Sequence, residues 1–220
     1  MPIFEYMALL KTYKEMNMTE HIVSLPRINE AAPDFKVRTT QGDRSLADYK
    51  GKWLILFSHP ADFTPVCTTE FMAFAKAADR FKALNCELLG LSIDSVFAHL
   101  AWVRNIKEKF GVEIPFPIIE DLKMEVAQAY GMIHPGAGDT SAVRATFVID
   151  PESKIRAMVY YPMSNGRSVD EFVRLLPDLA DVDVRRGHER AQPRPRINPA
   201  GAAWPLCGKH RGGPLDDPGW

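Results

Sequence analysis

The chain has 220 residues, 46% of them hydrophobic, with 27 Lys and Arg against 28 Asp and Glu and a formal net charge of −1. That length suits one domain with appendages, and the balanced charge argues against a nucleic-acid-binding protein. No stretch approaches the ~20 apolar residues that span a bilayer. The three cysteines are too few and too scattered for a secreted disulfide scaffold. No cysteine–histidine cluster has zinc-site spacing, so the expected setting is a reducing cytosol and no metal is expected.

Residues 1–24 read as an N-terminal extension. Met1–Leu10 looks superficially like a targeting segment, but Glu5 interrupts the apolar run, no basic region precedes it and no small-residue cleavage site follows. A short helix is therefore expected there rather than a signal peptide. Met16 and Met18 are alternative starts, which leaves residues 1–17 as either an extension or an artefact of start assignment.

Trp53–Phe57 runs apolar without polar alternation and predicts a fully buried strand. The chain then turns at Pro60. Phe71, Phe74, Ala75, Ala78, Phe81 and Leu84 recur at three- and four-residue spacings, predicting an amphipathic helix from Cys67 to about Leu84 that packs on that strand. Thr64 fits its N-cap and Pro65 its first residue, since the missing proline N–H has no intrahelical partner there. Cys67 then lies in the first turn, facing amides without carbonyl partners and the positive end of the helix dipole. Helix N-termini lower a cysteine pKa from about 8.5 to as little as about 3.5–7.5, which makes the sulfur a nucleophile. A free cysteine is more often an inert core residue, but strand, turn, cap and thiol coincide here. Glu70 occupies the place of a second cysteine three residues on, so dithiol exchange of the Cys-x-x-Cys kind is not expected.

Downstream, strands and helices alternate. Glu87–Ile93 predicts a strand, entered by Cys86 as a core residue, and Ser95–Phe110 a helix capped by Ser95, with Phe97, Leu100, Ala101 and Val103 among its inner residues and Gly111 at its end. Phe116–Ile119 is a short strand, Lys123–Tyr130 a helix closed by Gly131, and His134–Asp139 a loop on composition. Ala145–Ile149 and Ile155–Tyr161 form a hairpin, and Ser168-Val169-Asp170-Glu171 is a capping box opening a last helix. This alternation implies an α/β sheet with helices on its faces. Residues 185–220 hold six prolines and six glycines, with seven Lys or Arg against three Asp or Glu, and cannot bury enough apolar surface to fold alone. A solvated tail accounts for that basic excess better than an anionic partner does.

Pro60-x-x-x-Thr64-x-x-Cys67, within His59-Pro60-Ala61-Asp62-Phe63-Thr64-Pro65-Val66-Cys67-Thr68-Thr69-Glu70, resembles the peroxiredoxins and in particular their one-cysteine subfamily. Ala31–Phe35 resembles the family's opening strand, Leu91–Ser95 its second core strand and Phe116–Asp121 its third. Val143–Asp150 is similar to the strand that brings a catalytic arginine to the thiolate, and Tyr160–Arg167 to the segment carrying a second arginine. The likeness runs from about residue 25 to about residue 183. It divides the chain into the extension 1–24, a peroxiredoxin domain 25–183 and a Pro/Gly-rich C-terminal arm or tail 184–220. It implies a thioredoxin-like fold, a central mixed sheet flanked by helices, with an irregular C-terminal arm. Ile197–Pro205 vaguely resembles the proline-tryptophan segment of the subfamily's arm.

The chemistry implied is attack of the Cys67 thiolate on a peroxide oxygen, giving a sulfenic acid. Arg144, the Thr64 hydroxyl and the amides of Val66 and Cys67 would donate to the peroxide oxygens, while Pro60 shields the sulfur. His59, Glu70 and Arg167 support the site, Glu70 by orienting arginine. Each has a plainer reading: Thr64 as a cap only, Pro60 as a turn, Arg167 as a surface residue, His59 as a structural histidine. No haem, flavin or metal is implied. The substrates implied are hydrogen peroxide and organic hydroperoxides, with an external thiol such as thioredoxin, glutaredoxin or glutathione as reductant. Homodimers are expected, or rings of dimers such as a decamer, with the strand around Val159-Tyr160-Tyr161 as the pairing edge. Gly42-Asp43-Arg44-Ser45-Leu46 lacks the Gly-x-Ser-x-Gly pattern linked to lipase activity in some one-cysteine members, so that activity is not carried over. Alternatives are a two-cysteine cycle with Cys207 as resolving thiol, a holdase chaperone, and a degenerate thioredoxin-fold binding module.

Overall fold

The structure, a computed structural model, describes residues 25–133 and 142–185. The expected N-terminal helix, the 134–139 loop and the tail beyond residue 185, with Cys207, lie outside the described residues. The chain divides into two compact units, residues 1–179 and 180–220; the described part of the second is the end of a helix, residues 180–185.

The first unit is built on one sheet of seven strands: β1 (Lys36–Thr39), β2 (Gly42–Ser45), β3 (Trp53–Ser58), β4 (Cys86–Ser92), β5 (Ile118–Glu120), β6 (Arg144–Ile149) and β7 (Ile155–Tyr161), in the order β2-β1-β5-β4-β3-β6-β7. β3 runs parallel to β4 and β4 to β5, while β6 is antiparallel to β3 and to β7. The described helices are α1 (Pro65–Lys76), α2 (Ala78–Ala83), α3 (Val96–Phe110), α4 (Glu125–Ala129) and α5 (Val169–Arg185). This is the expected thioredoxin-like α/β architecture, a mixed sheet flanked by helices.

All six residues of β3 are buried, because the strand is covered on both faces. Leu54 and Leu56 join Leu89, Leu91, Tyr130 and Phe147 in one apolar layer. Phe57 packs against α1, stacked on Phe74 with ring centroids 4.3 Å apart and tilted against Phe71 at 5.2 Å. Such strand-to-helix aromatic contacts fix how closely α1 approaches the sheet. Gly90 on β4 permits the approach, since a Cβ there would lie 3.0 Å from Phe71 Cζ.

Several local expectations need correction. The helix predicted over 67–84 is two helices, because the Ala77 N–H is shared between the carbonyls of Ala73 and Phe74, both at 3.1 Å, and the turn tightens there. Ala31–Phe35 is no strand apart from an isolated bridge between Ala31 and Lys154. Pro33 has no N–H for a ladder, and the Phe35 N–H donates to the Asp34 carboxylate at 3.0 Å. Ser95 does cap α3, its hydroxyl accepting from the Ala98 N–H at 3.2 Å, and Gly111 ends that helix at φ 68°. The inner face of α3, however, is Val96, His99, Trp102 and Ile106, while Phe97 and Leu100 are exposed. The inner face differs from the apolar one expected because it includes a histidine that finds polar partners inside. At the start of α5 both Glu171 oxygens are engaged by Arg174, each at 2.7 Å, rather than by a capping box.

Candidate active site

Pro65 begins α1 as its first residue, with Thr64 at the cap position in extended backbone (φ −85°, ψ 148°). The Thr64 side chain makes no capping bond. Its hydroxyl instead donates to the Ala61 carbonyl at 3.1 Å. The first helical bond runs from the Thr68 N–H to the Thr64 carbonyl at 3.0 Å, so the Val66 and Cys67 amides stand ahead of it, in the turn whose donors lack intrahelical partners. Cys67 is fully buried, and Pro60 is buried as well.

β6 begins at Arg144, next to β3, and so carries a guanidinium to the start of the helix that follows β3. Arg144 is buried, and its Nη1 donates to Cys67 Sγ at 3.4 Å and to Glu70 Oε2, while its Nε donates to the Met163 carbonyl at 2.7 Å. Glu70 follows Cys67 by three residues and shares its helix face. Arg167 completes the cluster. Its backbone N–H and Nε donate to Glu70 Oε1 at 2.7 and 2.8 Å, and its Nη2 donates to Oε2 at 3.1 Å. Its Nη1 reaches the Ala145 carbonyl at 3.0 Å, and the guanidinium carbon lies 5.3 Å from the Phe57 ring centroid. Arg167 is thus a buried residue and not a surface one.

One carboxylate between two guanidiniums leaves a local excess of one positive charge beside the sulfur. Burial pushes the Glu70 carboxyl up, but the hydrogen bonds and charge of Arg167, with the charge of Arg144, outweigh it and hold it below the ordinary carboxylate range. Arg144 is therefore tethered at Met163 and Glu70 while still directing a donor at Sγ. Such preorganised donors act most strongly where charge develops in a reaction.

His59 is buried and makes no hydrogen bond to Cys67. Its Nε2 pairs with Asp62 Oδ1 at 2.8 Å, its ring stacks on Trp102 at 5.1 Å, and its Nδ1 has no hydrogen-bond partner. Burial lowers its pKa, keeping it neutral. Cys86 lies buried in β4, where burial raises its thiol pKa. The sequence reading missed Asp62, Trp102 and His99. Anchoring the α3 wheel on Trp102 gives His99 at i−3 and Ile106 at i+4, a signal that was present.

A buried thiol in the first turn of a helix, 3.4 Å from a buried arginine that opens a strand of a thioredoxin-like sheet, is an arrangement suited to a cysteine-based redox enzyme. The AhpC/TSA family model matches residues 28–158. The chain is 59% identical over 163 residues to a peroxiredoxin of Aquifex aeolicus, covering 74% of this chain and 73% of that protein, and 57% identical over 162 residues to one of Methanosarcina mazei, covering 70% and 74%. Among solved structures it is similar to yeast mitochondrial 1-Cys peroxiredoxin, with a TM-score of 0.69 and 42% identity over 74% of this chain and 80% of that one. It is also similar to reduced Plasmodium vivax 2-Cys peroxiredoxin, with a TM-score of 0.66 and 29% identity over 76% and 87%. The chain belongs to the AhpC/TSA family of peroxiredoxins. It is a thiol-dependent peroxidase.

Proposed function

We propose that the protein reduces hydrogen peroxide and small organic hydroperoxides by a one-cysteine cycle at Cys67, in a reducing compartment such as the cytosol and without a bound cofactor. The observation that carries this reading is the buried Cys67 sulfur with Arg144 Nη1 at 3.4 Å. The thiolate attacks one peroxide oxygen in line; the O–O bond breaks, an S–O bond forms, and the departing hydroxide or alkoxide takes a proton to leave as water or alcohol. Sulfur is oxidised by two electrons and the peroxide is reduced by two.

As charge moves from sulfur to the leaving oxygen, Arg144 and the amides of Val66 and Cys67 supply donors aimed at it. The Thr64 hydroxyl joins them by rotating away from Ala61. Glu70 and Arg167 hold Arg144 in place, and Pro60 keeps bulk water from the sulfur. His59 has a structural part through Asp62. Two equivalents of an external thiol, of the thioredoxin, glutaredoxin or glutathione kind, then return Cys67 to the thiol and form their own disulfide. The one-cysteine choice is supported by the motif around Cys67 and by the greater identity to the 1-Cys structure than to the 2-Cys one. Among the described residues the other cysteine, Cys86, is buried in the core.

Cys67→Ser is expected to abolish peroxide turnover, because a serine hydroxyl is a far weaker nucleophile; substantial retained activity would sink the assignment. Non-reducing peptide mapping after one equivalent of peroxide should find mainly Cys67 sulfenic acid. A dominant Cys67–Cys207 cross-link, lost in Cys207→Ser together with thioredoxin-driven turnover, would replace the one-cysteine cycle by a two-cysteine one. Aggregation suppression that persists in Cys67→Ser would instead mark a holdase activity.

A further inference from the structure

Beside the catalytic thiol lies a second buried cluster that the peroxidase chemistry does not use. Asp62, in the turn between β3 and α1, accepts from both sides: its Oδ1 meets His59 Nε2 at 2.8 Å and its Oδ2 meets His99 Nδ1 at 2.7 Å. Both histidine side chains are fully buried and the Asp62 side chain nearly so. His99 Nε2 is also committed, lying 3.0 Å from the Ile119 carbonyl on β5.

A carbonyl oxygen can only accept, so His99 Nε2 carries a hydrogen. An ionised carboxylate can also only accept, so the 2.7 Å contact at Nδ1 requires a second hydrogen. Asp62 has every reason to be ionised. Burial pushes its carboxyl up, but the hydrogen bonds of His59 and His99 outweigh this and hold it below the ordinary range. His59 needs only one hydrogen, on Nε2, since its Nδ1 has no partner.

We propose that His99 is a positioning residue for the Cys67 site, carrying hydrogen on both ring nitrogens so that it and Asp62 form a buried ion pair clamping the turn ahead of α1 to α3. This rests on the peroxidase reading of Cys67. The clamp has two jaws on one face of α3. His99 holds Asp62, five residues before the cysteine, and Trp102, one turn further on, donates from Nε1 to the Thr68 hydroxyl at 3.2 Å, one residue after it. Thr68 in turn donates to the Thr64 carbonyl at 2.8 Å. Cys67 lies in the segment held between the jaws.

The other charged groups around the pair are already engaged. Asp94, following β4, accepts from the Ser92 hydroxyl at 2.7 Å and the Asp62 N–H at 3.0 Å. Glu120, next to Ile119 on β5, accepts from the Val96 N–H at 2.9 Å and faces Arg38 at 3.8 Å. The proton on His99 is therefore the charge that balances Asp62. With a single hydrogen on His99, either the Asp62 carboxylate or the Ile119 carbonyl would face a bare nitrogen.

His59, Asp62 and His99 also bring ligand atoms within 4.8 Å of one another, and a metal-bound histidine commonly donates its other N–H to a carbonyl, as His99 does. A metal on His59 Nε2 would move that ring's hydrogen to Nδ1, which has no acceptor. The cluster suits a proton better than a cation.

Long-range 1H–15N imidazole spectra of the reduced wild-type protein at neutral pH test the charge directly. They should show two protonated nitrogens on His99 and one on His59; a bare nitrogen on His99, or stoichiometric bound metal, overturns the proposal. Asp62→Asn and His99→Asn should each slow the reaction of Cys67 with hydrogen peroxide by about 10- to 100-fold through misplacement of the reacting groups. The double variant should lose no more than the worse single, since both act through one contact. Additive losses refute it. The spectra need no variant and no turnover, so they stand apart from the Cys67→Ser test of the peroxidase reading itself.

Discussion

Glu70 stands between two buried guanidiniums, and its hydrogen bonds decide where Arg144 points. Removing Arg144 leaves Glu70 still bound by Arg167 through both oxygens, so Arg144→Ala should fold. It loses one fixed donor at the reacting oxygens, and by analogy with oxyanion donors the second-order rate with peroxide should drop about 10²–10³-fold. Stopped-flow measurement of that rate checks this; an unchanged rate removes Arg144 from the site. Replacing Glu70 has a different signature, because it strips two buried cations of their anion, a loss of about 3–5 kcal/mol. Its folded-state carboxyl titrates below the ordinary value of about 4.3, so its contribution is fully present above that pH and is lost as pH falls through the folded-state value. Urea midpoints measured from pH 6 down to pH 3 should therefore fall more steeply for the wild type than for Glu70→Gln.

The contact between α1 and β4 sets where the first turn of α1, and hence the sulfur, comes to rest. Phe71 is one turn beyond Cys67 and lies under Gly90, where an added methyl group would sit 3.0 Å from its ring unless the ring shifted. Gly90→Ala should overpack this seam, destabilising the protein by about 1–3 kcal/mol and lowering the peroxide rate as α1 lifts. Thermal melts and the peroxide rate check the two effects. Trimming the ring in Gly90→Ala/Phe71→Leu should restore part of both, which a simple loss of sheet propensity would not allow. α3 contributes in the same way from the other side, through Trp102, tilted against Phe71 at 4.7 Å and stacked on His59.

For the whole molecule, the sheet order leaves β7 as one outer strand, with Tyr160 at its exposed end. A second copy that sets its own outer strand alongside would extend the sheet across the interface. We expect homodimers through this edge, with rings of dimers as the higher form. Sedimentation at micromolar concentration should give dimers or larger species; a 24.7 kDa monomer alone contradicts this. Charge placed on the edge, as in Val159→Lys, should shift the protein toward monomer.

Features under the control of local periodicity and local stereochemistry were legible in the residues alone. Trp53–Phe57 had to be a buried strand, Pro65 had to open a helix with Cys67 in its first turn, and Ser95 and Gly111 had to bound α3. The motif around Cys67 also carried the resemblance to the peroxiredoxins. The amphipathic pattern of α3 was ambiguous, since helical spacing admits more than one face and a buried histidine counts as polar until its partners are known. The hydroxyl of Thr64 could not be placed either, because a cap bond and the Ala61 carbonyl compete at similar reach. Arg144 and Arg167 lie 74 and 97 residues beyond Glu70, and His99 lies 37 beyond Asp62. Those meetings depend on sheet order and on the face each helix turns inward, which no local pattern of residues encodes.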